Sequence, residues 1–233
     1  MVISPSYIEK TSIEDELIIS VSDMGTWLNL SPSAIIVHTD LLTELIKSAT
    51  ELTEAYTWLS IRETVYEAYF DIDDWSSFLC GDLGLSLERS PILDLDNITK
   101  IEYLNSSGTW TEFDRGIKTI DGLYEYTTEI KTRNKWAVIY FISDPNYDTR
   151  DYAYKIRVTF SAGWNLEASD EALIIPRSLK VAIKMIVAYM YTNRGDCDSP
   201  CDINGIPVPC GAKMILDKYR LGLTQLGGWY GLY

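Results

Sequence analysis

Three cysteines within fourteen residues, Cys197, Cys201 and Cys210, come nearest to metal chemistry by type and spacing. Tetrahedral zinc wants four ligands, often offered as close Cys pairs. Here three residues separate the first pair and eight the second, and a fourth ligand would have to be the distant Cys80, His38 or a nearby Asp. Metal ligands, a labile disulfide and plain loop thiols all stay open, with plain thiols the default, and no metal or other cofactor is expected. Asp198, Asp202 and Asn204-Gly205 look like part of a calcium loop. Pro200 takes its first ligand position and Gly211 its closing Glu position, so that match fails. The carboxylate pairs Asp73-Asp74 and Asp94-x-Asp96 could serve glycosidic acid–base work or hold a metal. They lie in turn-like stretches of a very acidic region, where chance supplies such pairs. One histidine, His38, in 233 residues removes most acid–base, triad and His-metal chemistry. With no G-x-G-x-x-G, P-loop or G-x-S-x-G in the chain, no catalytic residue is expected and the protein does not read as an enzyme.

The elements that must position these residues are bounded by composition. The length fits one domain, or one domain with a sizeable insertion, and 46% apolar with 23% charged residues supplies a real core. No apolar run is long enough to cross a membrane. The opening MVISPSYIEKTSIEDE has neither a basic region nor an apolar stretch, so no signal peptide is expected. A net charge of -14 argues against a basic reader that grips phosphates. The charge is uneven: residues 1–114 carry 21 acidic and 5 basic side chains, a net of -16, and residues 115–233 carry 13 and 15, a net of +2. Such asymmetry suits one surface that stays solvated or repels a polyanion and another that packs.

Hydrophobic spacing predicts helices at both ends and strands between them. Ser22 is expected to cap a short helix through Leu28, and Pro32 to open a longer one. Along the latter Ile35, Leu42, Ala49 and Tyr56 recur every seven residues, with Leu45, Leu52 and Leu59 between them. His38 sits at the edge of this stripe as a packed residue. From Glu63 to Phe70 the pattern alternates, and strand-forming runs follow at Ile98–Leu104, Leu123–Lys131, Lys135–Ile142 and Ala153–Ser161. Their aromatics, among them Trp110, Tyr124, Tyr126, Trp136, Tyr140, Tyr152 and Tyr154, read as core and cross-strand pairs. Helix resumes after Pro176 with Leu179, Ile183, Ile186 and Met190, and ends at Gly195. A loop over 195–210, a short helix Ala212–Leu221 and a flexible aromatic tail close the chain. The expected class is α+β: an antiparallel helical bundle from both chain ends with an inserted antiparallel β-sheet or small β-sandwich. The expected parts are 1–61 helical, 62–168 β-rich, 169–221 helical and 222–233 a docking tail.

Several stretches, taken in order, carry a resemblance. They are Leu42 through Ala49-Thr50-Glu51 to Tyr56-Thr57, then Arg62-Glu63-Thr64, Ser90-Pro91-Ile92 and Ile98-Thr99-Lys100-Ile101-Glu102-Tyr103. Next come Val158-Thr159-Phe160-Ser161-Ala162-Gly163-Trp164, Ile175-Pro176-Arg177-Ser178-Leu179-Lys180-Val181-Ala182-Ile183, Tyr191-Thr192-Asn193-Arg194-Gly195 and Leu216-Asp217-Lys218-Tyr219-Arg220. Over about residues 20–221 this order resembles the head–tail connector (adaptor, or head-completion) family of tailed bacteriophages.

The resemblance implies a structural virion protein of the neck, assembled in the host cytoplasm. It implies a homo-oligomeric ring, commonly a dodecamer, beneath the portal protein, lengthening the DNA channel and meeting a tail or stopper protein. Genomic double-stranded DNA would pass without sequence-specific binding, and no membrane is involved. Pro176, Arg177, Lys180, Lys184, Tyr191, Asn193, Arg194, Tyr219 and Arg220 would then lie at the oligomer or portal interface. Arg194 is equally suited to capping its own helix. Trp229, Tyr230 and Tyr233 in the tail suit docking into a neighbour's groove. Part of the acidic excess would face the channel and repel the DNA backbone. The long loop and the β-region exceed the family minimum, and their roles do not carry over. Two other readings stay in view: a carbohydrate- or ligand-binding β-module on a helical carrier, and a metal-dependent hydrolase built on clustered Asp.

Overall fold

The computed structural model describes residues 2–13, 17–72, 84–92, 95–112, 126–131, 136–141, 152–164, 174–193, 202–203 and 206–220. The chain divides into two compact units, one from Met1–Glu14 and Arg62–Trp164, the other from Asp15–Ile61 and Asn165–Tyr233. The class is α+β, with helices and antiparallel sheet in separate units.

In the first unit the strands are β1 (Val2–Ile3), β2 (Tyr7–Ile13), β3 (Thr64–Asp71), β4 (Gly84–Ser86), β5 (Ile98–Asn105), β6 (Trp110–Glu112), β7 (Tyr126–Lys131), β8 (Trp136–Phe141) and β9 (Tyr152–Ala162). Five of them form an antiparallel sheet in the order β2-β3-β9-β5-β6. The period-two pattern of β3 explains why. Thr64, Tyr66, Ala68 and Phe70 are buried, while Val65, Glu67 and Tyr69 are half-covered on the other face. Its partner β9 matches with Ile156, Val158, Phe160 and Ala162, and Tyr66 stacks on Phe160 with ring centres 5.6 Å apart. A second sheet, β1-β4-β8-β7, adds Leu85 and Ile139 to the same buried cluster.

Two expectations change here. Residues 1–61 were assigned to the helices, but β2 pairs with β3 from Tyr7↔Tyr69 to Ile13↔Thr64 and joins the sheet. That pairing spans more than fifty residues, and nothing local in the first residues signals it. The inserted sheet was expected to be antiparallel throughout, yet β1 runs parallel to β4. The turn 163–164 needs its glycine. Gly163 has φ +131°, and a Cβ there would sit 2.3 Å from the Arg62 carbonyl oxygen.

The second unit holds α1 (Val21–Trp27), α2 (Pro32–Val37), α3 (Thr39–Thr57), α4 (Arg177–Thr192) and α5 (Cys210–Asp217), with a two-stranded ribbon of β10 (Asp202–Ile203) and β11 (Ile206–Pro207). The cap of α1 is Ser20 rather than Ser22; its Oγ accepts from the Asp23 amide at 3.0 Å. Ser31 caps α2, with Pro32 in the first turn as expected. The single long helix predicted from Pro32 breaks at His38, so α2 and α3 are separate. Helix α3 buries Leu42, Ile46, Ala49, Leu52 and Tyr56. Its buried hydroxyls, Thr50, Thr53 and Thr57, donate to carbonyls four residues back at 2.7 to 2.8 Å and so remain satisfied. Helix α3 packs against α4 and α5, and α4 against α5. The buried residues of α4 are Leu179, Ala182, Ile183, Ile186 and Val187, and those of α5 are Ala212 and Leu216.

Candidate functional site

Three groupings of polar and exposed side chains stand out, two in the helical unit and one on the sheet. The first ties α5 to α3. The Tyr56 hydroxyl donates to Asp217 Oδ1 and accepts from Lys213 Nζ at 3.0 Å, while Lys213 also pairs with Asp217 at 3.3 Å. The Arg220 guanidinium lies 4.9 Å above the Tyr56 ring. Burial opposes the Asp217 charge, but hydrogen bonds from Tyr56 and Lys213 prevail and hold its carboxyl below the usual range. The Tyr56 hydroxyl and then Asp217 raise Lys213. Next to this clasp the Ser178 and Tyr219 hydroxyls lie 2.5 Å apart.

The second grouping is the outer surface of the helices. On α3, Asp40, Glu44, Ser48, Glu51 and Ala55 are exposed along one stripe, with Lys47 half-covered beside it. Helix α4 carries Arg177, Lys180 and Lys184 and no acid. Lys184 Nζ sits 5.5 Å from the Trp27 ring centre. Large apolar side chains are also exposed here: Ile36 at 76%, Val37 at 77% and Met214 at 70%, with Val181 at 36% between the basic residues of α4. Helix α2 has no buried residue at all. A helix of a globular unit normally turns such side chains inward, and these face outward.

The third grouping crosses the face of the five-stranded sheet turned away from its core. Register aligns Tyr7, Tyr69, Arg157, Glu102 and Glu112 in one rung. Arg157 Nε and Nη2 meet Glu102 Oε2 at 2.7 and 2.6 Å, and its guanidinium carbon lies 4.8 Å from the Trp110 ring centre. Lys100 reaches the other Glu102 oxygen at 2.6 Å. Tyr69 donates to Glu67 at 2.6 Å and meets the rings of Tyr7 and Trp110 at about 6 Å, with centres 6.0 and 6.1 Å away. Burial works against the Glu102 charge, yet hydrogen bonds from Lys100 and Arg157 bring the carboxyl below its ordinary value. Arg157 is raised by Glu102 and Tyr69 against its own desolvation, and the Glu67 hydrogen bond raises Tyr69. Glu102 and Arg157 therefore stay charged near neutrality and brace β5 against β9.

The residues singled out from sequence fall into three sets. Pro176 precedes α4 as its cap, followed by exposed Arg177 and half-covered Lys180, while Tyr191 meets the His38 ring edge-on at 5.8 Å. Asn193 ends α4, its side-chain amide donating to the Tyr189 carbonyl at 3.1 Å. Tyr219 and Arg220 are engaged within their own unit, with Ser178 and Tyr56. Arg194, Cys197, Cys201, Trp229, Tyr230 and Tyr233 lie outside the described residues. Cys210, the first residue of α5, is disulfide-bonded. That overturns the plain-thiol and metal-ligand readings of this residue, because an oxidised sulfur has no thiolate to offer. Among the described residues no group of three His, Cys, Asp or Glu could hold a metal, and no helix is long and apolar enough to cross a membrane. Sequence reasoning named Tyr56 as part of an apolar stripe and Asp217 within a motif but gave neither a site role, and it passed over Lys213, Ile36 and Val37. Lys213 and Asp217 stand four apart on a helix, and Ile36-Val37 lie just off the Ile35 stripe; those were the available signals.

A helical unit formed from two separated chain segments, joined in sequence to a two-sheet unit, defines the architecture. Similarity is found to a chain in the neck of an empty gene transfer agent particle computed with C6 symmetry. That match has a TM-score of 0.64 and 15% identity, and covers 92% of this chain and 95% of that one. A chain in the virion of a native gene transfer agent particle matches at TM-score 0.61 and 14% identity, over 91% and 94% of the two chains. A third, from the neck of a native particle computed with C12 symmetry, gives 0.59 and 14%, over 92% and 94%. At these identities the shared property is the fold. No family model and no curated protein matches the sequence.

Proposed function

We propose that this protein is a structural, non-catalytic component of a virion neck: a head–tail connector that assembles as a ring beneath the portal. The ring extends the DNA channel and offers a docking surface to the tail or the next neck protein. One observation carries the reading: the fold is shared, nearly end to end, with chains of gene transfer agent necks. The ordered motifs from Leu42 to Arg220 support it independently of the fold. Symmetry of C6 and C12 in those necks favours a closed ring for this chain as well, with twelve copies the number its resemblance implies.

In this reading the helices from both chain ends pack as an antiparallel bundle and form the ring wall. Double-stranded DNA slides past an acidic surface, which repels phosphate and leaves no salt-sensitive grip. The aromatic tail, residues 222–233, docks into a neighbour. Negative-stain microscopy of the protein mixed with its portal tests this directly. A ring stacked on the portal is the expected result, and particles bearing the portal alone would sink the proposal.

The row of Tyr7, Tyr69 and Trp110 favours a second reading, a sheet face that binds carbohydrate. Arg157 already covers one face of Trp110, which places this second. Saturable quenching of tryptophan fluorescence by an oligosaccharide would revive it.

A further inference from the structure

We propose that the ring closes head to tail by charge, the acidic outer stripe of α3 on one copy meeting the basic outer stripe of α4 on the next. This inference rests on the ring reading above and names the two surfaces that would make the contact.

Four observations within the helical unit lead to it. First, the two helices segregate charge. The exposed acids of α3 are Asp40, Glu44 and Glu51, whereas α4 carries Arg177, Lys180 and Lys184 with no acid. Second, these charges meet no opposite charge among the described residues. There no salt bridge reaches Asp40, Glu44, Glu51, Arg177, Lys180 or Lys184, and Lys184 Nζ sits over the neutral ring of Trp27. Third, α3 and α4 pack on each other through their buried stripes, the α3 acids lie on the side of that helix away from the contact, and the basic residues of α4 lie beside its buried stripe, toward α1. Two different and complementary patches on one body make a heterologous contact, the kind that closes into a ring.

Fourth, the spacing fits. Glu44 and Glu51 are seven residues apart, as are Arg177 and Lys184, and seven residues rise about 10 Å along a helix. Two carboxylates can therefore face two cations in register. Between them lie smaller side chains, Ser48 between Glu44 and Glu51 on α3 and exposed Val181 between Lys180 and Lys184 on α4. These allow the helices to approach. Ile36 and Val37, held out on α2 beside Asp40, add apolar area at the edge of the acidic stripe. Charge would select the partner surface and register, and the apolar rim would exclude water around it.

The test uses charge swaps in the full-length chain, with assembly on portal rings read by negative stain and mass photometry. One variant carries Arg177→Glu, Lys180→Glu and Lys184→Glu; the other carries Glu44→Lys and Glu51→Lys. All sites are at least partly exposed, and circular dichroism checks that both variants fold. Each variant alone should need about tenfold more protein, or more, to form rings, because like charges now oppose at every contact. An equimolar mixture should assemble again, alternating the two variants around an even-numbered ring. A chain carrying both sets should assemble alone. Rings from either single-set variant at wild-type concentration would overturn the inference and leave the connector reading standing. Failure of the mixture and of the doubly swapped chain would also overturn it. If the wild-type chain forms no ring on the portal, both fall.

Discussion

Removing Arg157 is the sharpest probe of the sheet unit. In Arg157→Ala, the Glu102 carboxylate, only 4% exposed, loses partners at 2.7 and 2.6 Å and keeps Lys100 at 2.6 Å. Stranding one member of a buried pair costs about 3 to 5 kcal/mol. Lys100 remains, and Arg157 is itself 22% exposed, so about 2 to 3 kcal/mol is the appropriate share here. Loss of the guanidinium over Trp110 adds about 0.5 to 1 kcal/mol. The sum, about 3 kcal/mol, moves a urea midpoint down by roughly 1.5 M if the unit unfolds with a slope of about 2 kcal/mol/M. Exchange of the amide hydrogens of β5 and β9 reads the same event locally. The paired change Arg157→Met with Glu102→Leu removes both charges and should return to within about 1 kcal/mol of wild type. A cost below about 1 kcal/mol for Arg157→Ala refutes the reasoning. So does a double variant whose cost equals the sum of the two single changes, since coupling is the substance of the claim.

The pH dependence has a definite sign. Glu102 and Asp217 are both lowered in the folded state, so their stabilisation is present above the ordinary carboxylate pKa and fades as pH falls below it. Glu102→Gln should flatten that acid limb in urea titrations between neutral and strongly acidic pH, and a slope unchanged from wild type would count against it. Tyr56→Phe removes the donor to Asp217 and the acceptor of Lys213, which should cost about 1 kcal/mol and speed amide exchange in α5 with little effect on β5 or β9. Gly163→Ala forces a Cβ onto the backbone of Arg62 and Glu63 at 2.3 to 2.7 Å and should destabilise the sheet unit by about 2 to 4 kcal/mol in urea unfolding. Gly25→Ala places a Cβ 2.4 Å from the Ile35 side chain, so that side chain must move and the packing of α2 on α1 loosens. Its expected signature is weaker assembly on portal rings with little loss of helix content by circular dichroism.

What the chain determined by itself is local and periodic. Alternation from Glu63 to Phe70 marked β3 because a pleated strand exposes every second residue. The spacing of Leu179, Ile183 and Ile186 marked α4 because one helix face meets the core, and Pro32 and Pro176 marked helix starts because their fixed φ suits a first turn. The order of short motifs carried the resemblance to phage head–tail connectors, because short motifs are themselves local. Tertiary structure decided whatever depends on distant partners. Tyr7–Ile13 became a strand only because β3 offered its edge, and Arg157 met Glu102 only because β9 lies beside β5. Tyr56 and Asp217, more than 150 residues apart, face each other only because α5 packs on α3. Periodicity shows which face of a helix or strand is buried but not what it is buried against. The exposed stripes of α3 and α4, on which ring closure is proposed to depend, became legible only once their buried sides were known to meet.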